Sequence, residues 1–176
     1  EVTRAFALAF FAAVVLYKLA AARHALHMSG AYDLSCFDQP LWLLSQGLPP
    51  YSTIMDLPFL GDHAAWALLP LGWVYTGPHL LFALQAAGLA AGAIAAAALV
   101  HQGGGTERQA LGMAGIYLAY PLVFNANLFD FHPDAFVPAL LLGALWSARA
   151  GRWAPFLACL VAATGCKEIM GLALAA

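Results

Sequence analysis

A bundle of membrane-spanning α-helices is the fold class this sequence predicts, and three observations predict it. Charge is scarce: of 176 residues, 9% are charged and 63% hydrophobic, against about 25% charged in a soluble domain. The deficit runs along nearly the whole chain, which one anchor on a soluble body would not produce. Apolar residues also run continuously, dominated by Ala, Leu and Gly, whereas the strands of a transmembrane barrel alternate apolar with polar. Backbone groups in lipid must be paired internally, so the spans are helices.

A span needs about 20 mostly apolar residues. The first such segment is 4–24. No clear small-residue cleavage pattern follows it, so it is a transmembrane helix and not a signal peptide. Residues 27–77 then form a long loop with its own surface helices. Within that loop the apolar run from His63 to Tyr75 is short, and is expected to be re-entrant or interfacial. Segments 78–100, 109–127 and 153–174 are the next long candidates, and 134–148 is a shorter one flanked by charge. The sum is about five spans. The small residues of GLAAGAIAAAA (88–98) suit close helix packing. The chain is expected to be one transmembrane domain over 1–176, an N-terminal part of a longer protein and inactive alone.

Lys and Arg concentrate in cytoplasmic loops. With Arg4, Arg108, Arg149 and Arg152 inside, residues 27–77 and FDFHPD (129–134) face outward. Asp33, Asp38, Asp56, Asp62, His63, Asp130, His132 and Asp134 then share one face of the cytoplasmic membrane, its outer face. Lys18 and Arg23 lie near the outer end of the first helix and are expected to snorkel to the interface. Lys167 and Glu168 lie in the last span, roughly 21 Å from the inner surface at about 1.5 Å rise per residue, and join the same zone.

The formal net charge of -2 and the lack of a basic run exclude a nucleic-acid partner. Three scattered cysteines make neither a disulfide framework nor a zinc site. The chemistry-bearing residues fall in four motifs. YDLSCFDQPLW (32–42) carries two carboxylates five positions apart, which a helix sets about 140° apart, on different faces. A break near Pro40 would let Asp38 cap a short helix. Asp33 has no such structural task and is the candidate general base. In LGDHAAW (60–66), Asp62 is placed to cap a helix starting at His63, while His63 and the helix dipole are placed to bind an anion. In FDFHPDAF (129–136), Pro133 and Asp134 suit the first turn of a helix, but capping does not explain Asp130. Asp130, His132 and Asp134 are also donors suited to Mg²⁺ or Mn²⁺, which makes a divalent metal the candidate cofactor. GCKEIMG (165–171) sets Lys167 beside Glu168 inside a span. The pair either neutralises itself and fixes packing, or turns Lys167 toward a phosphate.

Taken in order, YDLSCFDQPLW, LGDH with LLPLGWVY, PHLLFALQAAGLAAGA, NLFDFHPDAF and CKE resemble the bacterial family of predicted membrane proteins known as domain of unknown function 2079. The likeness covers about residues 30–171. Pro40 departs from that family's small residue after FDQ, Ile169 from its KED, and Asp130 stands for a more usual Glu. The family is in turn similar to the GT-C glycosyltransferases, multi-span enzymes that use polyprenyl-phosphate sugars on the outer face. That likeness implies Asp33 as the first-loop catalytic acid, with Asp38 as its rival. It implies His63 and Lys167, flanked by Asp62 and Glu168, at the lipid phosphate, and Asp130 in the second acidic motif. The expected function is sugar transfer from a polyprenyl-phosphate donor. The alternatives are a transporter or channel, or a structural membrane protein; no internal repeat of the transporter kind is evident.

Overall fold

The computed structural model describes residues 3–171, and helices dominate it. Helix α1 (Thr3–Ala25) is followed by α2 (Ala31–Ser45). A pair of two-residue antiparallel strands comes next, β1 (Tyr51–Ser52) and β2 (Leu57–Pro58), then the single turn α3 (Phe59–Asp62) and a 3₁₀ segment, Trp66–Trp73. After α4 (Pro78–Gln102) come α5 (Glu107–Ala119), α6 (Pro121–Leu128), a 3₁₀ turn (Pro133–Phe136), α7 (Val137–Arg149) and α8 (Trp153–Cys166).

The local signals account for several of these boundaries. Thr106 and Gln109 form a reciprocal capping box at the start of α5. Pro121 opens α6; a proline disfavours helical backbone in the residue before it, and Tyr120 is extended. The result is a bend of 45° between α5 and α6.

By length and composition α1 and α4, of 23 and 25 residues, can cross a membrane, and the bent α5–α6 pair makes a third span if it counts as one. Helices α7 and α8, of 13 and 14 residues, fall short of the about 20 a span needs. Among the described residues, length therefore supports two or three spans where about five were expected.

Helix α4 is the axis of the bundle and packs on α1, α5 and α7. Its small residues make this possible. A Cβ at Gly88 would overlap the Phe136 ring, and one at Gly92 would overlap Tyr117. Ala93 and Ala97 meet Ala5, Ala110 and Ala114 in one cluster. In lipid, helix association rests on close van der Waals contact of this kind. On the far side α8 packs on α7 and on the 3₁₀ segment, where Gly165 makes room for the Trp66 ring.

Three expectations about local structure are corrected, and the short apolar run has the length expected of a segment that does not span. Helix α2 runs unbroken through a fully buried Pro40, so Asp38 caps nothing and instead accepts a hydrogen bond from the Tyr75 hydroxyl. Asp62 ends α3 and caps no following helix, because His63 is extended. The apolar run after it is a 3₁₀ helix of eight residues; at about 2.0 Å rise per residue it cannot cross the hydrocarbon layer. Finally, α8 stops at Cys166 and Lys167 is extended, which interrupts the expected span 153–174; its residues 172–174 lie outside those described.

The bundle sorts its charges to two ends. Arg4 pairs with Glu107 at 3.4 Å at one end. At the other, the His24 ring meets His79 and Phe82 where α1 ends and α4 begins.

The packing at Gly92 gives a direct check. Gly92→Leu should lower thermal stability in detergent, by about 1–3 kcal/mol as overpacking does. Gly112→Leu, where a Cβ meets nothing within 4 Å, should leave it nearly unchanged. Equal melting of both variants and the parent would contradict the α4–α5 contact.

Candidate functional site

The corner between α1 and α2 carries the site. Arg23, in the last turn of α1, sets its guanidinium 2.6 Å from Asp130 Oδ1. The Gly30 N–H, at the start of α2, donates to Asp130 Oδ2. Asp130 is only 5% exposed, so it lies among apolar groups with a cation and an N–H to meet its charge. A Cβ on Gly30 would stand 2.9 Å from Asp130 Oδ2 and 3.4 Å from Asp33 Oδ2. The two carboxylates thus flank one glycine, although they are far apart in the chain. Arg23 thus has a buried carboxylate as its partner.

Beyond this corner lies a cavity of about 260 Å³. Asp33 and Cys36 from α2, Asp62 and His63 after β2, His132 from the loop after α6, and Lys167 from the break after α8 all line it. Asp38 is not among its lining residues. It faces Tyr75 on another side of α2, as the 140° expected between the two acids requires. Burial first, and then the Asp38 carboxylate, push the Tyr75 phenol far up, so it remains a donor.

Within the cavity the basic groups are held by separate partners. His63 lies 3.6 Å from Asp62 and 3.3 Å from Glu168. Glu168 also accepts from the Ala64 N–H at 3.0 Å, which ties the break after α8 to the segment ahead of the 3₁₀ helix. Lys167 reaches Asp134 at 3.1 Å. Lys167 and Glu168 therefore turn to different partners across the break and do not neutralise each other. His132 is fixed by its backbone N–H, which donates to Gln85 Oε1 at 2.8 Å, while its ring packs beside Phe37 and Phe129. Burial, reinforced by Asp62 and Asp33, raises the Cys36 thiol above its ordinary range. It stays a thiol at neutral pH and is a poor nucleophile.

The expected metal set is not assembled. Asp130 is taken by Arg23 and Gly30, Asp134 by Lys167, and the His132 Nδ1 lies 3.1 Å from the Asp130 carbonyl oxygen. Among the described residues no three His, Cys, Asp or Glu side chains come together as a group able to hold a metal ion.

Four contributors escaped the sequence reading: Arg23, Gly30, Gln85 and Asn127. Gln85 also donates to the Ala126 carbonyl at 3.3 Å, and Asn127 to the Leu16 carbonyl at 2.9 Å. The available signal was polarity: Gln85 is the lone polar side chain in residues 80–100. A polar group inside a span is bonded to its neighbours or functional.

Asp130→Ala should destabilise the protein by about 3–5 kcal/mol, the usual cost of removing one partner of a buried pair. The double replacement Arg23→Met with Asp130→Leu should recover much of that loss. Denaturant or thermal unfolding in micelles measures both, and an unaffected Asp130→Ala would contradict the pair.

No curated protein and no solved structure matches this chain. The family model described as "Predicted membrane protein (DUF2079)" matches residues 23–176. The match takes in Arg23, every residue that lines the cavity and the break after α8. The chain accordingly belongs to the DUF2079 family of predicted membrane proteins.

Proposed function

We propose that this chain carries the reaction site of a membrane glycosyltransferase of the GT-C type, which moves a sugar from a polyprenyl-phosphate donor to an acceptor hydroxyl at the outer face of the cytoplasmic membrane. One observation carries the reading: a carboxylate with no ion-pair partner among the described residues, Asp33, shares a cavity with His63, His132 and Lys167. A transfer of this kind needs a base on one side of the anomeric carbon and cationic donors for a phosphate on the other.

The acceptor O–H gives its proton to the Asp33 carboxylate as its oxygen forms a bond to the anomeric carbon. The bond from that carbon to the phosphate oxygen breaks with inversion, and its electron pair leaves on the lipid phosphate. Lys167 and His63 meet the developing negative charge, and His132, which lines the same cavity, adds an N–H. Proton return from Asp33 to solvent or phosphate closes the cycle. Glu168 orients His63 through Nδ1, Nε2 exchanges its longer contact with Asp62 for the phosphate, and Asp134 holds Lys167 until the phosphate arrives.

A second reading, a solute pathway, draws on the bend at Tyr120–Pro121 and the break at Lys167, since transporters also use interrupted helices. Solute flux in proteoliposomes free of donor lipid separates the two.

In the full-length protein, Asp33→Asn should lower turnover of an undecaprenyl-phosphate sugar by about 10²–10⁴-fold with folding intact. Asp38→Asn should act mainly on stability, through Tyr75. Wild-type turnover by Asp33→Asn removes Asp33 from the role of base.

A further inference from the structure

An apolar groove of about 910 Å³ runs beside the polar cavity. Its volume is at the upper end of the about 300–1,000 Å³ typical of ligand sites. Leu89 of α4, Val123 and Ala126 of α6, and Leu141 and Leu142 of α7 form its walls, and residues on both sides of the α5–α6 bend line it. Its relation to the cavity is specific. His132 lines both spaces. Lys167 lines the cavity, while Asp134, its ion-pair partner at 3.1 Å, lines the groove. One imidazole is therefore common to the apolar groove and the polar cavity, and one salt bridge joins their linings.

Asp134 adds a second observation. Its Oδ2 meets Lys167, but its Oδ1 is buried without a hydrogen-bond partner among the described residues. A buried carboxylate oxygen left unpaired is costly and calls for a donor. The side chain as a whole is 42% exposed, so a rotation about its own bonds offers this oxygen to a donor at the junction.

We infer that the groove holds the hydrocarbon tail of a lipid phosphate, with its phosphate at the His132–Lys167–Asp134 junction and its headgroup projecting into the cavity. The inference rests on the transferase reading for the identity of the headgroup and locates the tail that reading leaves unplaced. An amphiphile with an anionic head satisfies both spaces at once. The apolar walls accept methylenes, Lys167 exchanges Asp134 for the phosphate, and a headgroup hydroxyl or a protonated phosphate oxygen donates to Asp134 Oδ1. A packed protein helix would fill the groove but would leave this polar junction unused.

The test uses the full-length protein in nanodiscs and a polyprenyl phosphate with a photoreactive diazirine near the end of its tail. Cross-links should fall on peptides containing Val123, Leu141 or Leu142 and be competed by unlabelled undecaprenyl phosphate. Ala126→Trp, which fills the groove, should cut this labelling at least tenfold; Leu141→Trp is the second filling variant should the first fail to fold. Geranyl phosphate, whose short tail barely enters the groove, should bind both filling variants as it binds the parent. Lys167→Ala should weaken both probes. Labelling elsewhere, labelling that neither tryptophan reduces, or equal loss of the short probe overturns the groove as the tail site, as does cross-linking of Leu141 to another segment of the same protein with the probe excluded. Competed labelling in the groove without any sugar transfer supports the tail site and counts against the transferase alone.

Discussion

A carboxylate buried to 5% exposure in an apolar bundle needs a cation and N–H donors to replace the water it has lost. Asp130 is met by Arg23 from the end of α1 and by the Gly30 N–H at the start of α2. That one requirement joins three segments of chain at a point. It sets the direction in which α2 leaves α1, and so the placement of Asp33 on the first turn. It also anchors the loop whose next polar residue is His132. Asp130 is thus a positioning residue for both walls of the proposed site, and Gly30 has no Cβ because both carboxylates press against the place it would occupy.

Close packing around α4 sustains the same geometry from beneath. Gly88 and Gly92 admit Phe136 and Tyr117, which brings the start of α7 and the end of α5 against the central helix. Gln85 can then bond the backbone of His132 and the carbonyls near the end of α6. On the opposite side, the break after Cys166 lets two adjacent charged residues point to separate partners. Lys167 turns to Asp134, and Glu168 to His63 and the Ala64 N–H. A continuous helix would have carried these consecutive side chains about 100° apart on one rod.

Much of this was legible in the residues. The low charge and continuous apolar runs predict the helical bundle, and the stripe of small residues predicts tight packing about α4. The five-residue spacing predicts that Asp33 and Asp38 face apart. Positive charge along the chain sorts Arg4 away from the acids that line the cavity. Other features were hidden because tertiary contact overrode local signals. Pro40 is a helix breaker by its chemistry, yet it sits in the interior of α2, where burial of its ring offsets the missing hydrogen bond. Asp62 and His63 carry a helix-start signature, but the chain there stays extended so that His63 can meet Glu168. The Arg23–Asp130 pair joins residues 107 positions apart, and no local pattern encodes such a partner. Spacing within FDFHPD pointed to a metal set, whereas long-range partners divide its acids between Arg23 and Lys167.

Asp33, His63, His132 and Lys167 line one cavity, and the proposed function requires that it open to the outer face of the membrane. Met55 lines the same cavity without a role in the chemistry, so it is the position to probe. The most direct measurement places a single cysteine there, Met55→Cys, with Cys36, Cys159 and Cys166 replaced by serine, and labels intact cells with a membrane-impermeant maleimide. The account predicts labelling from outside that a polyprenyl-phosphate sugar suppresses. Labelling only after the membrane is opened, or labelling that the lipid leaves unchanged, would contradict it.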